Sequence, residues 1–330
     1  MRNYLCSLLL LLLYTITNAQ SIPPQDAMLS SYEYPFPVKF LRLQVQQQTV
    51  RMAYMDVQPA HPNGKTIMLL HGKNFCAAYW EQTATDLSNK GFRVIIPDQI
   101  GFGKSSKPEH FQFTFQQLAL NTKTLLDSLG ISKLVVLGHS MGGMLAIRFA
   151  LMFPSVTEKL ILENPIGLED WKLKVPYKSV DQWYKGELQQ DYHAIKQYQM
   201  ENYYAGKWTP EYDKWASLLA SWTTSPDYPK VAWNAALTYD MIFTQPVCYE
   251  LEQIRVPTLL IIGQRDRTAL GKASVPEHVS KTMGNYPELG RNAARRIPNA
   301  QLAAMEGVGH LPHIEAYTQF IKPLLEFLKK

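Results

Sequence analysis

Leu134-Val135-Val136-Leu137-Gly138-His139-Ser140-Met141-Gly142 decides the reading of this chain. Leu134 to Leu137 form a short apolar run, read as a buried strand. Met141 to Phe153 carry helical periodicity until Pro154 stops them. Between the two lies Gly-x-Ser-x-Gly, a pattern that gains meaning when strand, sharp turn and helix follow one another. A serine on such a turn sits in a strained backbone conformation that exposes its hydroxyl, and side chains at Gly138 and Gly142 would collide across it. The helix start behind it offers unpaired N–H groups and a dipole that favours developing negative charge. Ser140 is the candidate nucleophile.

Working outward, the same rhythm recurs. Thr66–Leu70, Phe92–Ile96, Leu134–Leu137 and Lys159–Leu162 read as buried strands, with helical segments at Tyr79–Asn89, Thr114–Leu129 and Met141–Phe153 between them. Continuous apolar strands alternating with helices predict a parallel sheet covered on both faces. Ahead of them, Phe36–Leu43 and Thr49–Val57 read as an antiparallel pair at a sheet edge. The alternation breaks near residue 166. As far as residue 240 the chain is rich in Trp and Tyr between Lys, Glu and Gln, and it reads as a helical lid. The rhythm returns with strands at Pro257–Ile262 and Gln301–Met305 and a last helix at Tyr317–Lys329. The expected division is 20–165 and 241–330 for the core and 166–240 for the lid. There is no internal repeat.

A serine hydroxyl is a weak nucleophile at neutral pH and needs a base beside it. In chain order an acid and then a histidine are expected downstream. His310, in Gly307-Val308-Gly309-His310, lies on a loop after the last strand and is the candidate base. His313 is its competitor, but it precedes the last helix and reads as lid-facing or surface. Asp266 follows the strand ending at Ile262 and is the candidate acid, placed to hold the imidazole tautomer and stabilise the imidazolium. A salt bridge from Asp266 to Arg265 or Arg267 is the plain alternative, and Glu163 is the rival acid. The backbone N–H groups of Lys73, in His71-Gly72-Lys73-Asn74, and of Met141 are the candidate oxyanion-hole donors, with the Asn74 side chain as a further one. His71 reads as a loop brace. Gly101-Phe102-Gly103-Lys104-Ser105 resembles the end of a phosphate-binding loop, but Asp98 stands where that motif needs its first glycine, and it reads as a turn. No Cys/His pairs stand at zinc spacing, and neither metal nor cofactor is expected.

Taken together, His71-Gly72, Asp98 with Gly101-Phe102-Gly103-Lys104-Ser105, Gly138-His139-Ser140-Met141-Gly142, Gly263 with Asp266, and Gly309-His310 with Glu315 resemble the α/β-hydrolase superfamily from about residue 40 to the end. The resemblance implies an eight-stranded, mostly parallel sheet with helices on both faces and a helical cap inserted after the sixth strand. Related dehalogenases and epoxide hydrolases use an aspartate where this chain has Ser140, so those activities are disfavoured. The chain is similar to serine esterases, cofactor-free perhydrolases and enzymes that cleave carbon–carbon bonds of dienone-type substrates. It departs in the segment between Asp266 and His310, where Gly271 to Ile297 is extra material.

The chain has 330 residues, 46% hydrophobic and 18% charged, an ordinary globular balance. A formal charge of +5 is too small to call for a nucleic-acid partner. Residues 1–19 read as a signal peptide: Arg2 gives the positive start, Leu5 to Leu13 the apolar stretch, and Thr17-Asn18-Ala19 the cleavage site. Secretion or periplasmic export is expected, with no stable membrane insertion once the signal is gone. Cys76 and Cys248 remain, and two buried free thiols are the preferred reading over a disulfide. The expected function is hydrolysis of a carboxylic ester of a small to medium, largely apolar substrate. The other readings are carbon–carbon cleavage next to a ketone and a ligand-binding protein with little turnover.

Overall fold

The computed structural model describes residues 23–330, so the signal-peptide reading lies outside the described residues. Eight strands form one sheet: β1 (Val38–Val45), β2 (Gln48–Val57), β3 (Thr66–Leu70), β4 (Arg93–Pro97), β5 (Leu134–His139), β6 (Thr157–Glu163), β7 (Thr258–Gly263) and β8 (Ala300–Met305). Their order is β1-β2-β4-β3-β5-β6-β7-β8. β2 runs antiparallel to both β1 and β4, and every other pairing is parallel. The antiparallel pair thus closes one edge, while β3, β5, β6 and β7 carry the apolar runs that only a sheet covered on both faces can bury.

The helices supply that cover. They are α1 (Glu81–Asn89), α2 (Phe115–Ser128), α3 (Met141–Met152), α4 (Val180–Glu187), α5 (Tyr192–Asn202), α6 (Pro210–Ala220), α7 (Tyr228–Thr244), α8 (Glu277–Ser280), α9 (Tyr286–Arg296), α10 (Pro312–Glu315) and α11 (Tyr317–Lys329). Thr114 starts α2 by accepting the Gln117 N–H at 2.9 Å. A Ser179/Gln182 capping box starts α4. α4 to α7 make the cap, inserted after β6, and α7 runs on to Thr244, past residue 240. Between Asp266 and His310, the irregular stretch holds α8 and α9, and Tyr286 and Met283 from it enter the core on the sheet's flank. The extra material is therefore packed structure.

The lead-in at residues 23–31 has a structural task. Gln25 N donates to the Ser221 carbonyl at 2.9 Å, Trp222 Nε1 donates to the Asp26 carbonyl at 2.9 Å, and Leu29 is fully buried. These contacts tie the front of the chain to the cap. No helix among the described residues is long and apolar enough to cross a membrane. Cys76 and Cys248 are free and buried, and burial pushes the Cys76 thiol up to about 12.

Candidate active site

The turn from β5 into α3 holds Ser140 at φ 56°, ψ −119°, in the left-handed half of backbone space that a serine rarely adopts. The strain persists because the neighbours fix it. A Cβ on Gly138 would fall 2.1 Å from the Gly142 carbonyl oxygen, and one on Gly142 2.2 Å from the Leu70 oxygen of β3. The first glycine is thus required across the turn, as expected, and the second by the neighbouring strand.

Three distant stretches converge on the hydroxyl. His310 Nε2 lies 3.0 Å from Ser140 Oγ, and His310 Nδ1 lies 2.7 Å from Asp266 Oδ2. The carboxylate fixes the proton on Nδ1, which leaves Nε2 bare to accept from the serine. All three residues are buried, Asp266 completely. Asp266 Oδ1 accepts the Thr268 N–H at 2.8 Å, and Oδ2 also accepts from Asn164 Nδ2 at 2.7 Å. Burial works against the Asp266 charge, but the His310 imidazole and these donors outweigh it and hold its pKa below the usual carboxylate range. Neither nearby arginine takes the carboxylate. Arg265 pairs with Glu315, and Arg267 donates to the Asp266 backbone oxygen.

Glu163 is not the acid. Its carboxyl points to His313, accepting the His313 N–H at 2.8 Å and lying 2.8 Å from His313 Nδ1. This corrects the reading of His313 as lid-facing or surface: it is 4% exposed and stacks on Trp80 at 4.3 Å between centroids. The reason is local. α10 turns the residue inward, where the buried Glu163 would otherwise lose its partners. Burial raises Glu163 to about 7 and lowers His313 to about 3, so between those two values the pair is uncharged.

Four positioning groups escaped the sequence. Tyr79 accepts the Gly72 N–H at 2.9 Å and donates to His139 Nδ1 at 3.0 Å. His139 Nε2 in turn donates to the His310 carbonyl at 2.8 Å. One chain of hydrogen bonds therefore ties the Gly72 loop, the nucleophile turn and the loop of the base. Burial drops the His139 pKa to about 3, so it stays a neutral strut. Tyr203, from the cap, stacks its ring on His310 at 4.8 Å and accepts the His310 N–H through its carbonyl at 3.2 Å. Asn164 accepts the Gly263 N–H at 3.0 Å while it donates to Asp266. Only His139 lies within a sequence pattern, the Gly-x-Ser-x-Gly turn, and that pattern leaves its residue type open. His71 is the expected brace: Nε2 accepts the Gln99 N–H at 3.1 Å and Nδ1 donates to the Gly72 carbonyl at 2.9 Å. Asn74 spends its amide on the Tyr203 hydroxyl at 2.8 Å. Residues 98–105 form a turn around the buried Asp98, which accepts the Ala77 and Lys104 N–H groups.

A cavity of about 40 Å³ opens onto Ser140 between Phe75, Ile166, Trp171, Ile242 and Leu270. Lys73, Asn74, Phe75, Tyr198 and Tyr239 wall both this space and a larger one of about 190 Å³ beneath the cap.

A strained serine, an accepting imidazole and a buried carboxylate in this order define a serine hydrolase. The chain belongs to the alpha/beta hydrolase fold family, whose model matches residues 65–317. It is similar to a probable hydrolytic enzyme from Pseudomonas aeruginosa PAO1, with a TM-score of 0.92 and 52% identity over 94% of this chain and 99% of that one. It is 28% identical, over 80% of its length and 88% of the relative's, to 2-hydroxy-6-oxo-6-phenylhexa-2,4-dienoate hydrolase of Burkholderia cepacia. It is 27% identical to Lipase 1 of Psychrobacter immobilis, over 77% of this chain and 73% of that one.

Proposed function

We propose that the chain hydrolyses a carboxylic ester of a small to medium substrate through an acyl-enzyme. The carrying observation is the Ser140 Oγ–His310 Nε2 contact of 3.0 Å backed by the 2.7 Å contact to Asp266. Ser140 Oγ attacks the ester carbonyl while His310 Nε2 takes its proton, and Asp266 steadies the imidazolium. The imidazolium returns that proton to the departing alcohol. Water then gives a proton to His310 and attacks the acyl carbonyl, releasing the acid and restoring Ser140. The N–H groups of Lys73 and Met141 hold the oxyanion. Met141 is the first residue of α3, where the N–H has no partner within the helix. The apolar walls beside Ser140 fit a largely apolar acyl group. The likeness to Lipase 1 supports an ester.

Carbon–carbon cleavage next to a ketone is the second reading, supported by the likeness to a hydrolase named for a 6-oxo-dienoate. Graded nitrophenyl esters assayed against a dienone separate the two. Fluorophosphonate labelling of Ser140 tests both against a binding protein without turnover, since a folded chain that resists the probe overturns the enzymatic reading. Export after cleavage at Ala19 belongs to the same proposal. Amino-terminal sequencing of the mature protein from periplasm and medium checks it, with Gln20 expected first.

A further inference from the structure

The reading as an ester hydrolase leaves the Lys73 side chain without a task. The proposed oxyanion hole uses only its backbone. The side chain enters the wall shared by the Ser140 pocket and the larger cavity under the cap. Its ammonium sits 3.4 Å above the Tyr239 ring centroid, and Tyr239 also walls both spaces. Among the described residues no carboxylate oxygen lies within 4 Å of it and no hydrogen-bond acceptor is paired with it. A lysine ammonium has three donors, and one aromatic face does not satisfy them. Lys73 is half-buried, so the protein thins but does not remove the water around this unpartnered charge, at some cost. Burial accordingly holds its pKa below the usual lysine range, while the carboxylate of Glu187, which borders the larger cavity, works the other way. Glu187 helps keep the ammonium charged without occupying its donors.

We infer that Lys73 is a specificity residue that binds a carboxylate on the acyl chain of the substrate, so that the preferred esters are half-esters of dicarboxylic acids. This deepens the proposed ester hydrolysis and rests on it. The acyl carbon chain crosses the apolar space next to Ser140, and its far end reaches the ammonium at the shared wall. The carboxylate supplies what Lys73 lacks, and Tyr198 and Tyr239 line the approach.

Monomethyl adipate and methyl hexanoate have the same chain length and differ in the terminal carboxylate. The wild-type ratio of kcat/KM is expected to favour the adipate by about 10-fold or more, in line with a hydrogen bond to a charged group. Lys73→Met is expected to cut that ratio by about 10- to 100-fold, and Lys73→Arg to keep it within a few-fold. A wild-type preference for the hexanoate, or a ratio that Lys73→Met does not change, overturns the inference. The wild-type comparison needs no variant, so poor folding of Lys73→Met does not spare it. A second measurement separates this inference from the ester reading. Free adipate is expected to protect Ser140 from a fluorophosphonate at lower concentration than hexanoate, and Lys73→Met to erase the difference. Protection of this kind without turnover of either ester sinks the ester reading and upholds carboxylate binding. Turnover of both esters without the preference does the reverse.

Discussion

At the scale of single residues, Asn164 shows how the acid is held. It follows the last residue of β6, sits at φ 38°, and divides its side chain between the Asp266 carboxylate and the Gly263 N–H. Asn is among the few residues that tolerate that backbone region. Asn164→Asp keeps the shape but sets two carboxylates face to face, so one must take up a proton. A loss of about 10- to 100-fold in kcat with little change in KM is expected, measured by steady-state kinetics. Ser140→Ala should end fluorophosphonate labelling and turnover together. Asp266→Asn, which removes the group that fixes the His310 tautomer, should lower kcat by about 10⁴-fold. An effect under about 10-fold would show that Asp266 is not the working acid.

At the scale of elements, the β5–turn–α3 unit and the β6–α10 contact carry the main constraints. Gly142 presses on β3, and backbone at 2.2 Å cannot move aside as a flexible side chain can. Gly142→Ala should cost more than about 4 kcal/mol, seen as lost soluble yield or a sharply lower denaturation midpoint. The Glu163–His313 contact gives a pH effect with a definite sign. A carboxyl raised from 4.5 to about 7 adds stability that is fully present below 4.5 and is lost as the pH rises through about 7. Glu163→Gln cannot ionise, so relative to the wild type it should gain stability between pH 5 and pH 8, by on the order of 3 kcal/mol. Thermal unfolding of both proteins at the two pH values is the check, and an equal offset at each would refute the assignment.

At the scale of the whole molecule, the site is completed by the cap, and the cap is fastened by the front of the chain. Tyr203 reaches His310, while residues 25–29 hold the stretch between α6 and α7 through Ser221, Trp222 and Asp227. Removing residues 1–31 should cost at least about 2 kcal/mol from the buried Leu29 alone. It should also raise KM several-fold for esters long enough to fill the larger cavity, and much less for nitrophenyl acetate. Circular dichroism melts and a chain-length series of esters report the two effects.

Periodicity and turn chemistry were enough to place the parallel strands and the nucleophile turn with Ser140, because local backbone needs are expressed by neighbours in the chain, while Asp266 and His310 followed from their order in the chain and from loops just beyond strand ends. Tyr79, Asn164 and Tyr203 bear no local mark, since their partners lie far along the chain and their residue types serve equally well on a surface. His313 was misplaced for the same reason: its neighbours say nothing of the carboxyl from β6 that folding brings beneath it. The sequence preferred Asp266 over Glu163, but only the tertiary structure excluded Glu163, by pairing it with His313. Glu163 ends β6 and Asp266 lies on the loop just beyond the adjacent β7, and the imidazole that each carboxylate meets is set by the fold, His313 for one and His310 for the other.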